Sequence, residues 1–221
     1  MQPSSGVSSA YEAYEAIVAA LSQPDLADAV RARRAEREAS SGATDGDDEG
    51  FEGRMQVFWD AAVTTPLLLE RIRDRVSEGI LAWIGPFGRA HRGLFAVDRD
   101  DSGAPLMAGS APIIRDVWSG AAFILTPLPP RELALALRTT EGRFDGRVVG
   151  CDAPLRVALL PGALFHPPDA TSAIDKVVAA AKAEGLAKDD ALDALLRMEA
   201  RLHAHSRVKP SYAYRADALH R

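Results

Sequence analysis

Apolar positions along the chain follow a helical period at both ends and a strand period in the middle. Ser9 precedes YEAYEAIVAAL with Glu12 three places on, a capping box, and Tyr11, Tyr14, Ile17, Val18 and Leu21 recur at helical spacing. Pro24 predicts a second helix start. Helical signal resumes at Arg54, with Met55, Phe58, Trp59 and Ala62 on one face. Thr65-Pro66 then opens LLLERIRDRVSEGILAWI, which reads as a single helix. Leu21, Ser22, Pro24, Leu26 and Val30 match Val63, Thr64, Pro66, Leu68 and Ile72 at a constant offset of 42 residues. Two copies suggest a paired helical unit, too few for a solenoid.

After Gly85-Pro86-Phe87-Gly88 the period changes. GLFAVDRD reads as a strand, PIIRDVW and AAFILTP as a hairpin, and FDGRVVG and LRVALLPGALF as further strands. Asp169-Ala170-Thr171 starts a helix carrying Ile174, Val177, Val178 and Ala181 and ending at Gly185. A last helix begins near Asp189. The expected fold is α+β: N-terminal helices, a central small antiparallel β-sheet or half-barrel, and C-terminal helices. The expected organisation is an N-terminal helical segment (1–38), a flexible acidic linker (39–53), a helical subdomain (54–92), a β module (93–166), C-terminal helices (167–206) and a basic tail (207–221).

The hairpin RDVWSGAAFIL can turn in two ways. A two-residue Ser119-Gly120 loop places Trp118 in the strand. A four-residue loop opened by Asp116 gives Gly120 the positive φ and puts Trp118 at an exposed tip, as a candidate binding anchor; Asp at the first turn position favours this version.

With 221 residues and a net charge of −5, the chain is long enough to bury a core and has no strong overall pull towards nucleic acid or anionic membranes. From Arg197 onward the charge is +4, against −9 for the rest. The single cysteine, Cys151, excludes an intramolecular disulfide and a Cys-rich zinc site. No basic leader with an apolar stretch and no membrane-length apolar run is present, so a cytoplasmic, bacterial-type soluble protein without a membrane partner is expected.

Ser119, His166 and Asp116 or Asp169 are the residue types of a serine hydrolase, but WSGAA lacks the first glycine of G-x-S-x-G. Two partial calcium-loop openings, at Asp98 and Asp45, end on Gly109 and Gln56 where the loop requires a bidentate Glu. No phosphate-cradling glycine motif occurs. No catalytic residue, metal or cofactor is therefore assigned. The run from Gly93 through RDVWSGAAFIL resembles the β module beside SEC-C zinc motifs, without the zinc motif itself. Arg89 and Arg92, with Asp116 and Ser119, resemble in outline the PilZ signature for cyclic di-GMP. The spacing is R-x-x-R rather than R-x-x-x-R, the serine falls one place late, and its glycine is missing, so neither family is assigned.

The expected function is a non-catalytic, regulatory or protein-interaction module with an unidentified protein partner, self-association being a further option. Two alternatives stand beside it. One is nucleic-acid or nucleotide second-messenger binding through the β module and the basic tail, where Arg207, Lys209 and Arg215 surround Tyr212 and Tyr214. The other is a hydrolase assembled from scattered residues, for which Arg89, His91, Arg92, Asp116 and His166 must converge on one pocket. The binding candidates are these residues, those of the tail, and Trp118.

Overall fold

A computed structural model describes residues 9–42, 50–204 and 209–220. Helices α1 (Ala10–Leu21), α2 (Ala27–Ser41), α3 (Phe51–Val63), α4 (Pro66–Ile72) and α5 (Glu78–Gly88) precede the sheet. Ser9 and Glu12 form the expected capping box, with both reciprocal hydrogen bonds present. Pro24 opens a 3₁₀ turn that leads into α2, and Pro66 occupies the first turn of α4. The stretch read as one helix after Pro66 is two, because Arg73–Arg75 form a 3₁₀ turn and Ser77 starts α5 afresh.

The strands are β1 (His91–Val97), β2 (Met107–Ala108), β3 (Ala111–Asp116) and β4 (Ala122–Leu125), then, after helix α6 (Arg131–Thr139), β5 (Phe144–Gly150), β6 (Arg156–Leu159) and β7 (Leu164–Phe165). The order β1-β3-β4-β6-β5 closes through a β1–β5 pairing into a five-stranded barrel. Closure removes the edges that an open sheet of this size would expose. All its pairings are antiparallel except β4–β6, which is parallel. β1 begins at His91, so His91 and Arg92 lie in the barrel wall rather than in the preceding helices.

Strand alternation sorts the side chains. Phe95, Val97, Ile114, Leu125, Phe144, Val148 and Leu159 fill the barrel, and Leu133 and Leu137 of α6 pack with them. The opposite faces carry two helical layers. Val149 and Leu160 join the core of α1, α3, α4 and α5 around Ile17, Phe58, Leu69 and Phe87. Leu94 joins the core of helices α7 (Thr171–Ala183) and α8 (Lys188–Ala204). The chain then folds back: Tyr214, Ala218 and Leu219, beyond the short helix α9 (Pro210–Ala213), are buried against the same layer. Among the described residues no helix is long and apolar enough to cross a membrane.

Candidate functional site

The hairpin turns through the four-residue loop. The Gly120 N–H donates to the Asp116 carbonyl at 2.7 Å, the Asp116 N–H to the Ala121 carbonyl at 2.9 Å, and Gly120 has φ +77°. The Asp116 carboxylate accepts from the Trp118 N–H at 3.0 Å, the Ser119 hydroxyl at 2.6 Å and His91 Nε2 at 3.1 Å. Burial opposes its charge, but these donors hold its carboxyl below the usual range. Ser119 and His91 share one oxygen, so the carboxylate lies between hydroxyl and imidazole. A nucleophilic serine needs the imidazole next to it; here Asp116 is the hub of a turn. Trp118 does not stand free at the tip. It is half-buried against the C-terminal layer, with the Lys182 ammonium 5.4 Å from its ring centroid.

The other sequence candidates disperse. Arg89 is exposed and folds back over Gly85. Arg92 belongs to a buried ion network on the outer barrel wall. His166 is buried, with Nδ1 2.8 Å from the Tyr214 hydroxyl. None of the four principal cavities is lined by Arg89, His91, Arg92, Asp116, Trp118 or His166. The convergence that the hydrolase alternative required is not present among the described residues. In the tail, Tyr214 is buried, Tyr212 and Lys209 are exposed, Arg215 pairs with Asp217, and Arg207 lies outside the described residues. Tyr214 therefore offers no free face for a base to stack on.

His166 links this docking to pH. Burial pulls its pKa down to about 4 from 6.5, so the imidazole is neutral in the fold. Between those values the unfolded chain binds the extra proton, so this group's contribution is present above pH 6.5 and is lost as pH falls towards 4. Urea unfolding of wild type and His166→Gln at pH 4.5 and 7.5 is expected to show a difference about 2 kcal/mol larger at the higher pH. An unchanged difference would show that His166 does not carry this dependence.

The ion network lies where the two helical layers meet the barrel wall. Arg92 and Arg147 are register partners on β1 and β5. Arg92 donates to Asp145 Oδ2 at 3.1 Å and to Asp193 Oδ1 of α8 at 2.7 Å, and Arg37 of α2 donates to the same Asp193 oxygen at 2.7 Å. Burial disfavours the charge on Arg92, but two carboxylates outweigh it and its pKa is raised; Arg37, with one carboxylate, is lowered by burial and by the Arg92 cation. At the network's far side Asp60 of α3 accepts the Gly162 N–H at 2.9 Å, and burial pushes its carboxyl up to about 7 despite Arg147.

A groove with a different character opens at the barrel rim. Its volume is about 290 Å³, between the β2–β3 hairpin and α6. Pro105 and Met107, two apart, share one face of the returning strand, and Pro112 is the register partner of Met107. Ala134, Leu137 and Arg138 present one helical face opposite, and Leu128 and Pro129 line it as well. Met107 and Leu128 of this lining are among the exposed large apolar side chains of the described residues, at 43% and 51%. Arg138 carries the one charge in the lining, and among the described residues it forms no ion pair. Sequence reasoning missed this site because its walls read as a turn and a proline-rich loop. Met107 and Leu128, close in sequence to Pro105, Pro112 and Pro129, were the available signal.

Among the described residues no group of three His, Cys, Asp or Glu side chains could hold a metal. The acidic turn at Asp98 is satisfied internally: Asp98 pairs with Arg115, and Asp100 accepts from Ser102 and Ala104. Comparison with known proteins gives no match to any family model, curated protein or solved structure.

Proposed function

We propose that this chain is a non-catalytic, regulatory interaction module of the cytoplasm that takes an apolar segment of a partner protein into the groove between the β2–β3 hairpin and α6. One observation carries the reading: apolar side chains that a monomer in water has reason to cover stay exposed around a preformed groove with a buried floor, Leu137. The single cation on the wall, Arg138, names the rest of the occupant's chemistry. It favours a segment whose apolar side chains are followed by an aspartate or glutamate, since a guanidinium recognises a carboxylate through paired N–H donors. The lone, half-buried Cys151 suits a reducing compartment.

The test is selection of a displayed random peptide library on the full chain. Enriched sequences are expected to combine two apolar residues with one acid. Leu128→Asp should weaken the selected peptides about tenfold or more by placing a charge where an apolar side chain docks. Arg138→Gln should weaken the acidic peptides alone. Enrichment that ignores both variants would overturn the reading. So would a dimer in sedimentation that Leu128→Asp converts to monomer, because the groove would then serve a second copy of the chain.

A further inference from the structure

A second cavity lies away from that groove, where α2, α3 and α8 come together near β7. Arg34, Arg37 and Arg54 line it together with one carboxylate, Glu38, which Arg34 already pairs, and Phe58, Leu164 and Leu196 are among its apolar walls. Its volume is about 30 Å³. A water needs roughly 10–15 Å³ by the same measure, so the space suits a group of about three heavy atoms. A nucleotide or a sugar does not fit.

The chemistry of the lining is uneven. Arg37 is 8% exposed; its Nη1 is taken by Asp193, and its Nη2 is buried with no hydrogen-bond partner. Arg34 uses Nε on Glu38, and Arg54 uses Nη2 on Glu199 and the Leu196 carbonyl. Further in, Arg37, Arg92 and Arg147 face Asp145 and Asp193, with Asp60 beyond Arg147. Arg37 has thus one carboxylate, a second cation beside it and a spare donor. A buried donor without an acceptor is destabilising, and a guanidinium's natural acceptor is an oxyanion.

We propose that this cavity is a binding site for a one-carbon carboxylate, formate in size, held by Arg37 Nη2 with Arg34 and Arg54 around it. The planar, three-atom carboxylate matches the space. Its carbon-bound hydrogen meets the apolar wall of Phe58 and Leu164. A tetrahedral phosphate has five heavy atoms and exceeds it.

Equilibrium dialysis of labelled formate against the full chain, at constant ionic strength, tests this. Saturable binding of one ligand per chain is expected. Inorganic phosphate and butyrate should fail to compete. Arg37→Gln should weaken binding about tenfold or more, since it removes a charge-assisted bond. Arg37 also belongs to the ion network, so Arg34→Gln, at a side chain about a third exposed, is the second variant. It should weaken binding by about fivefold with an unchanged circular dichroism spectrum. Absence of saturable binding, or binding that Arg34→Gln leaves intact, would mean an adventitious ion only. Equal competition by phosphate would overturn the carboxylate assignment.

Discussion

Asp145→Ala is expected to cost about 3–5 kcal/mol of folding stability, the range seen when one partner of a buried ion pair is removed. Asp145 is 1% exposed, and its carboxylate stands beside Arg92 and Arg147, which are register partners on neighbouring strands. Without it, two buried cations face each other across the β1–β5 seam with Asp193 on the Arg92 side and Asp60 on the Arg147 side to compensate. Burial first, and then the neighbouring Arg92 and Arg37 cations, pull Arg147 down to about 10 from 12.5, so its charge depends on the carboxylates around it. Urea unfolding at pH 7 gives the number. A loss below about 1 kcal/mol would mean that the network is solvated and contributes like a surface pair. Replacing Arg37, Arg92, Asp145 and Asp193 together by Met, Met, Leu and Leu should recover most of the loss, because it removes two cations with their two carboxylates and leaves Arg147 with Asp60.

Gly162→Ala is expected to destabilise by about 3 kcal/mol, the upper end of overpacking effects. A Cβ on Gly162 would lie 2.4 Å from the Gln56 carbonyl oxygen and 2.7 Å from the Asp60 Cγ. The first obstacle is helix backbone, which does not swing aside as a long side chain would. The second is a carboxyl that accepts the Gly162 N–H, so the clash also strains that hydrogen bond. Gly150→Ala is the matched control, since a Cβ there meets nothing within 4 Å. Thermal unfolding of both variants should separate them clearly. Equal melting temperatures would show that the α3–barrel approach relaxes freely.

Local rules carried the sequence reading far where a residue's role is set by its neighbours in the chain. The Ser9–Glu12 box, the helix starts at Pro24 and Pro66, the Gly185 stop and the Asp116–Gly120 turn are all of this kind. The break at Arg73–Arg75 was not legible, because no glycine or proline marks it and the apolar spacing continues through it. Helix α6 was missed because RELALALRT alternates Leu with Ala and imitates a strand, although Leu133 and Leu137 alone are the buried pair. Asp145 and Arg147 were hidden differently, and Arg92 reads as a binding candidate rather than as their buried partner. Charged residues at every second position read as a solvated strand face, and only the docking of α2 and α8 buries them. The groove forms where the β2–β3 hairpin faces α6, so that Met107 and Leu137, distant in sequence, line one space.

The claim that the rim groove is the partner site is tested most directly by hydrogen–deuterium exchange of the full chain, with and without a selected apolar–acidic peptide. The account predicts new protection confined to residues 105–112 and 128–138, lost in Leu128→Asp. Protection on the folded-back segment around Tyr214, or none at the groove while the peptide is bound, would contradict it.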